Sequence, residues 1–249
     1  MALPSLVLVH GALHAGDCWD PTVAAISRLD PELVVVAVDL PGRRDKAGDL
    51  IAASIDEWAN SVMSDIDGAG IDDLVIVGHS MAGLVVPCVV TKLGSARVRE
   101  MILATAFVPP SGGAMVDTVP GALGWYARRA AKRNAQKGVL ATLPNIWASY
   151  AFCNGMTRAQ RDFNLARLHP DSPSIVLENI DRSGMPDGVP RTWILTQRDR
   201  VFSVKSQHKC IAALGGVQTL IPIDTCHNLM ISEPERLATI LVERCRLYD

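Results

Sequence analysis

Apolar residues in this chain fall into short β-branched runs separated by longer stretches of helical period. Leu6-Val7-Leu8-Val9, Leu33 to Val38, Leu74-Val75-Ile76-Val77, Val98 to Ala104, Arg191 to Thr196 and Gln218 to Ile223 read as six strands. The run Leu74-Val75-Ile76-Val77, apolar at every position, predicts a strand buried on both faces, as in a parallel sheet. Between them, Trp19 to Leu29, Ser54 to Ile66, Met81 to Leu93, Ser203 to Leu214 and Pro234 to Leu247 predict helices. Asp20 and Pro21 fit the N-cap and first turn of the first helix. Ser54-Ile55-Asp56-Glu57 reads as a capping box opening the second. Strands alternating with helices make this an α/β chain, a six-stranded mainly parallel sheet flanked by helices and joined by right-handed crossovers.

The alternation stops between 111 and 188. No clear buried strand occurs there, while 121–138, 157–168 and 173–181 are amphipathic. This stretch reads as a helical cap inserted over the carboxyl edge of the sheet. The expected organisation is one domain over 1–249, with a core of 1–110 and 189–249 and a cap insertion of 111–188. No internal repeat, low-complexity tract or long linker divides it.

Composition narrows the picture. The 249 residues are 49% hydrophobic and 20% charged, and mean hydropathy is +0.20, which argues against disorder. A net charge of −2 offers no overall basic field for nucleic acid. No apolar run approaches a membrane span. Leu6 to Val9 is too short for a signal peptide and has no charged residue before it. The six cysteines, 18, 88, 153, 210, 226 and 245, have no metal-ligand spacing and read as reduced core thiols, which points to the cytoplasm.

The chemistry gathers at Gly78-His79-Ser80-Met81-Ala82-Gly83. A buried strand leads into this turn and a helix leaves it, the setting of a nucleophile elbow. The fifth position of that motif is Ala82 rather than glycine. The plainer reading is a buried serine in a glycine-rich turn. A serine hydroxyl needs a base, and the base needs an orienting acid. Of the histidines, His79 adjoins the serine and is expected to point away from it. His10 and His14 lie in the first loop, His169 in the cap and His208 in a helix. His227 follows the last strand at the carboxyl edge, which makes it the candidate base. Asp199, the only acid in the loop after Arg191 to Thr196, is the candidate orienting group. Asp224 is its rival, but three residues from His227 it would struggle to reach the far ring nitrogen. The order Ser80, Asp199, His227 is that of α/β-hydrolases. The oxyanion donors are expected from the amides of Met81, at a helix N-terminus, and Ala12, in the loop after the first strand.

His10-Gly11-Ala12, His14, Trp19, the elbow, Ala106-Phe107-Val108-Pro109, Asp199, and His227 ahead of Ser232-Glu233-Pro234 together resemble the α/β-hydrolase superfamily. Within it they are most similar to the plant methylesterase and hydroxynitrile-lyase branch and its bacterial relatives. The resemblance covers roughly residues 5–110 and 190–248. It implies the α/β-hydrolase fold, an esterase-like serine hydrolase with nucleophile Ser80, acid Asp199, base His227 and oxyanion amides Ala12 and Met81, and no metal or organic cofactor. The lyases carry Thr where this chain has Gly11, and Lys where it has Asn228. Without that hydroxyl and ammonium, cyanide release loses its stabilisation.

The cap bears on substrate. Trp125, Tyr126, Trp147, Tyr150 and Phe152 concentrate there. Leu13, Trp125, Trp147 and Tyr150 are candidate pocket residues for a small, largely apolar ester, although rings that hold a cap to its core would look the same. Arg128, Arg129, Lys132, Arg133 and Lys137 form a basic run with no acid between 118 and 157. A solvated helix face explains it more simply than an anionic ligand. Arg198 and Arg200, flanking Asp199, could attract an acidic substrate or point to solvent. A C–C bond hydrolase or lyase on the same fold is one alternative, and a ligand receptor with weak hydrolysis is another. The expected partner is a small-molecule ester, and exposed cap surface could support a homodimer.

Overall fold

The computed structural model describes residues 3–119 and 121–249; Met1, Ala2 and Pro120 lie outside it. Six strands form one sheet: β1 (Ser5–Val9), β2 (Val35–Val38), β3 (Leu74–His79), β4 (Val98–Ala104), β5 (Arg191–Thr196) and β6 (Thr219–Ile223). Their order is β2-β1-β3-β4-β5-β6, and every neighbouring pair is parallel. Parallel neighbours need crossovers, and helices α1 (Asp20–Leu29), α2 (Ile55–Gly68), α3 (Ala82–Leu93), α7 (Val204–Ala213), the short α8 (Leu229–Ser232) and α9 (Pro234–Arg246) lie between or after the strands.

The apolar runs are continuous because the sheet packs on both faces. Leu6, Leu8, Val75, Val77, Ile102 and Ala104 face a core completed by Ile26 of α1 and Leu237 and Leu241 of α9. Their neighbours Val7, Val9, Leu74, Ile76, Met101 and Leu103 face a second core completed by Trp58 and Val62 of α2 and Val85 and Val89 of α3. Each fully buried Val, Leu, Ile or Met side chain among these contributes about 1.5–3 kcal/mol of hydrophobic stabilisation.

β2 corrects one expectation. Leu33 is buried but lies outside the strand, and Val35, Val36 and Ala37 are only half-buried. β2 is an edge, as is β6, whose Thr219 to Ile223 alternates between half-buried and exposed before ending buried. At α2, Ser54 Oγ accepts the Glu57 amide at 3.1 Å. Pro21 sits in the first turn of α1, which starts at Asp20 with Trp19 as N-cap. All six cysteines are free thiols, five of them buried.

Between β4 and β5 the chain forms α4 (Gly121–Gln136), α5 (Asn145–Phe152) and α6 (Arg158–Ala166). α6 is closed by a capping box of Thr157 and Gln160. The segment 173–181, expected as amphipathic helix, holds only one tight turn over Ile175–Leu177. Tertiary contacts take its residues instead: Ile175 and Ile180 enter the core, and Glu178 Oε2 accepts the Ile55 amide at 2.9 Å.

Among the charged core residues that the sequence reading missed is Glu100. Glu100, fully buried on β4, accepts bonds from Arg244 Nη2 at 2.8 Å, from the Thr192 hydroxyl and from Tyr248 at 3.3 Å. A buried carboxylate is tolerable only with such partners, and this one pins the end of α9 to the centre of the sheet.

Candidate active site

Ser80 lies at the turn from β3 into α3 with φ of +53°. That left-handed conformation is unfavourable for a residue with a side chain and is held by its surroundings. The Ser80 amide donates to Ala104 O at 3.1 Å, and Ser80 O accepts from Gly83 N at 3.0 Å and Phe107 N at 2.9 Å. The glycines around it answer to space. A Cβ on Gly78 would meet Val86 at 2.8 Å, and one on Gly83 would meet the Phe107 carbonyl oxygen at 2.6 Å. Glycine is therefore needed at 83, while Ala82 fits.

Ser80 Oγ is 2.9 Å from His227 Nε2, and His227 Nδ1 is 2.7 Å from Asp199 Oδ2. A carboxylate can only accept, so Nδ1 carries the proton and Nε2 presents a lone pair to the serine hydroxyl. His227 leaves β6 on a short loop and Asp199 leaves β5, both at the carboxyl edge where Ser80 stands. Ser80 and His227 are 4% and 2% exposed.

Asp199 is tightly held. Oδ2 also accepts the hydroxyls of Thr105 at 2.7 Å and Thr196 at 2.9 Å, and Oδ1 accepts the amides of Val201 at 2.7 Å and Phe202 at 2.8 Å. Burial opposes its charge, but the His227 ring and these donors outweigh it and hold its pKa down at about 2. Asp224 faces outward and pairs with Arg198 Nε at 2.9 Å. Arg200 lies over the Tyr150 ring at 4.7 Å.

The loop after β1 brings Ala12 to the site. Its Gly11 admits no side chain, because a Cβ there would stand 2.8 Å from Ser80 Cβ and 2.9 Å from His79 Nδ1. Among the described residues, the amides of Ala12 and Met81 donate to no protein acceptor. Met81 is the N-cap of α3, where the helix dipole favours negative charge. Two unpaired amides beside a serine suit an oxygen that gains charge.

His79 bonds elsewhere than to the serine: it packs against the candidate base, its ring centroid 4.9 Å from that of His227, and its Nε2 donates to His227 O at 3.0 Å. Burial, then the neighbouring His227, push its pKa well below the ordinary value, so it is a neutral brace. His14 donates Nδ1–H to Ala12 O at 2.9 Å; its Nε2 lies 3.0 Å from Asn164 Oδ1 and 3.2 Å from Asn228 Nδ2. Burial lowers its pKa too.

Three of the four candidate pocket residues are largely exposed. Trp125, Trp147 and Tyr150 are 65%, 61% and 60% exposed. The ring that reaches the site is Phe152 at the end of α5, stacked on His227 at 5.7 Å. Leu13 lines a cavity of about 240 Å³ with Leu143, Leu165 and Leu168. A larger cavity, about 550 Å³, is lined wholly by α4 residues, including Trp125, Arg129 and Lys132, and by none of Ser80, Asp199 or His227. Sequence reading also missed Thr105, Asn164, Arg43 and Asp171. Thr105 directly follows a strand's carboxyl end, a usable signal; nothing local marks the other three. Among the described residues no group of three or more His, Cys, Asp or Glu side chains is arranged to hold a metal, and no helix is long and apolar enough to cross a membrane.

The sequence model of the alpha/beta hydrolase family matches residues 6–240. Over 122 residues the chain is 29% identical to a carbendazim hydrolyzing esterase of a Nocardioides species, covering 49% of each chain. The chain spans about half the length of the curated relatives it matches. Among solved structures it is similar to an extracellular alpha/beta-hydrolase from a Paenibacillus species, with a TM-score of 0.84 and 20% identity over 96% of this chain and 98% of that one. It is similar also to a methylesterase from Arabidopsis, with a TM-score of 0.77 and 18% identity over 98% of this chain and all of that one. At these identities the structural likeness is one of fold.

Proposed function

The chain belongs to the alpha/beta hydrolase family, and from that premise we propose that it hydrolyses carboxylic esters through an acyl-enzyme. The observation that carries this reading is the hydrogen-bonded line from Ser80 through His227 to Asp199, at 2.9 and 2.7 Å. In this reading Ser80 Oγ attacks the ester carbonyl carbon while its proton passes to His227 Nε2. Asp199 holds the Nδ1–H tautomer and balances the imidazolium that forms. The carbonyl oxygen, now negative, rests on the Ala12 and Met81 amides. When the intermediate collapses, the carbon–oxygen bond to the alcohol breaks and His227 returns the proton to that alcohol. Water then attacks the acyl-Ser80 carbonyl with His227 as base, releasing the acid and restoring the serine.

The substrate fits a small, largely apolar ester. The Phe152 ring stacked on His227 supports this, with the insertion acting as a cap. The names of the esterase and methylesterase relatives support the ester bond. Against the lyase alternative stand Gly11, which supplies no hydroxyl, and Asn228, which donates to Asn164 at 2.7 Å in a neutral buried network. Replacing Ser80 by Ala is expected to cut turnover of p-nitrophenyl acetate at least about 10³-fold and to abolish fluorophosphonate labelling. Turnover near that of the unmodified protein would overturn the proposal. A series of p-nitrophenyl and methyl esters of increasing chain length then defines the acyl and alcohol preferences.

A further inference from the structure

The loop 10–16 that carries Ala12 is held by partners from distant parts of the chain. Four successive carbonyls are occupied. Gly11 O accepts from His10 Nδ1 at 2.8 Å, and Ala12 O from His14 Nδ1 at 2.9 Å. Leu13 O accepts from the His169 amide at 2.9 Å, and His14 O from Arg43 Nε at 3.1 Å. The assignment at His10 is fixed by its other nitrogen, which accepts the Leu40 amide at 3.1 Å. The Leu13 amide is taken as well, by Asp171 Oδ2 at 2.7 Å. Of these neighbouring groups the Ala12 amide is left for a ligand.

Leu13 has φ of +61°, a conformation that a leucine keeps only when its surroundings impose it. Asp171 imposes it from the insertion. This buried carboxylate accepts Arg43 Nη2 at 2.5 Å and the Ser172 amide at 2.6 Å through Oδ1, while Oδ2 holds Leu13. Its own backbone pairs with Ala141 in both directions at 2.8 Å. Arg43 is fully buried, set over the Trp58 ring at 5.5 Å. One carboxylate thus joins the loop after β1, the turn after β2 and the insertion. A buried ion pair is weak support for stability in itself, since apolar residues of similar volume often do as well. Its placement against the peptide next to Ala12 gives it a more specific use.

We propose that Asp171, fixed in place by Arg43, is a positioning residue for the oxyanion hole: by holding the Ala12–Leu13 peptide it aims the Ala12 N–H at the oxygen that becomes negative. This rests on the serine chemistry proposed above. An amide aimed at the tetrahedral intermediate acts on the transition state more than on bound substrate, so the effect belongs in kcat.

The test is Asp171→Asn, which keeps the shape but turns an NH₂ toward either the Leu13 amide or Arg43. With p-nitrophenyl acetate, kcat is expected to fall about 10- to 100-fold with KM changed less than about 3-fold. Inhibition by a trifluoromethyl ketone, whose Ser80 adduct carries an oxyanion, should weaken by the same factor as kcat. A non-reacting amide of the same shape should bind unchanged. The double variant Asp171→Asn with Arg43→Met should lose no more kcat than Asp171→Asn alone, because Arg43 works through Asp171. If Asp171→Asn does not fold, Asp171→Glu, one methylene longer and still charged, is read in the same way. Unchanged kcat and ketone inhibition would overturn the proposal, as would losses shared equally by the amide. Activity surviving in Ser80→Ala would instead remove the serine chemistry, so the two failures are distinct.

Discussion

The Asp199 side chain, shielded from solvent, has five donors, three to Oδ2 from Thr105, Thr196 and His227 and two to Oδ1 from Val201 and Phe202. Its folded pKa, about 2, lies below the 3.8 of an unperturbed aspartate. The ionised form is therefore favoured by folding. The stability it contributes is fully present above the unfolded pKa and is lost as pH falls through the folded one, which places the loss between about pH 4 and 2. The shift corresponds to about 2 kcal/mol. Urea titrations of the unmodified protein and Asp199→Asn should differ most above pH 4 and converge by about that amount toward pH 2; parallel curves would contradict the assignment. In turnover, Asp199→Asn should lose on the order of 10³- to 10⁴-fold in kcat because the histidine tautomer is no longer fixed. Asp224→Asn should stay within about 3-fold, since Asp224 only pairs with Arg198 at the surface. A larger loss at Asp224 would exchange the roles of the two acids.

β4 and its partners show how a single charged group can set the docking of a helix. Glu100 links β4, Thr192 of β5, Arg244 of α9 and Tyr248 beyond it. Truncation to Ala would strand Arg244 and cost about 3–5 kcal/mol in urea unfolding. Glu100→Leu with Arg244→Met should recover most of that loss, and a double variant as unstable as the single one would show that packing dominates instead. Such a residue also marks where sequence reading ends. The central strands were legible because Leu74 to Val77 and Met101 to Ala104 are apolar on both faces, and the elbow and the two loops bearing Asp199 and His227 follow from where the strands stop. Glu100 looks like any surface acid until Arg244, far along the chain, is seen beside it. α5 was not anticipated because its eight residues are too short for a clear period, and 173–181 has helical spacing that its core contacts override. Asp171 and Arg43 share no local pattern at all: they are joined only by the folded insertion.

The insertion reaches the site through α5, whose Phe152 stacks on His227, itself 2.9 Å from the Ser80 hydroxyl. The turn after α5 and helix α6 are hydrogen-bonded next to the candidate acid and base: Asn154 Nδ2 donates to Arg198 O, the residue before Asp199, at 2.8 Å, and Gln160 Nε2 donates to Ile231 O, in the short helix after His227, at 2.9 Å. Phe152 is stacked on His227 at an interplanar angle of 25° and set edge-on to His14 at 67°. Two outcomes follow from shortening it. Removing a packed phenyl ring costs about 3–5 kcal/mol of stability, and it opens space beside the histidine where an acyl chain would lie. Phe152→Ala should therefore raise kcat/KM for p-nitrophenyl octanoate relative to p-nitrophenyl acetate by about 10-fold or more, since each methylene newly accommodated in an apolar site is worth about 1 kcal/mol or more. The acetate rate itself should fall, because His227 loses the ring that steadies it. Trp147→Ala, on the outer side of the same helix, should leave the octanoate-to-acetate ratio unchanged. A ratio that moves with Trp147 and not with Phe152 would place the substrate on the exposed aromatic face of α5 rather than under it.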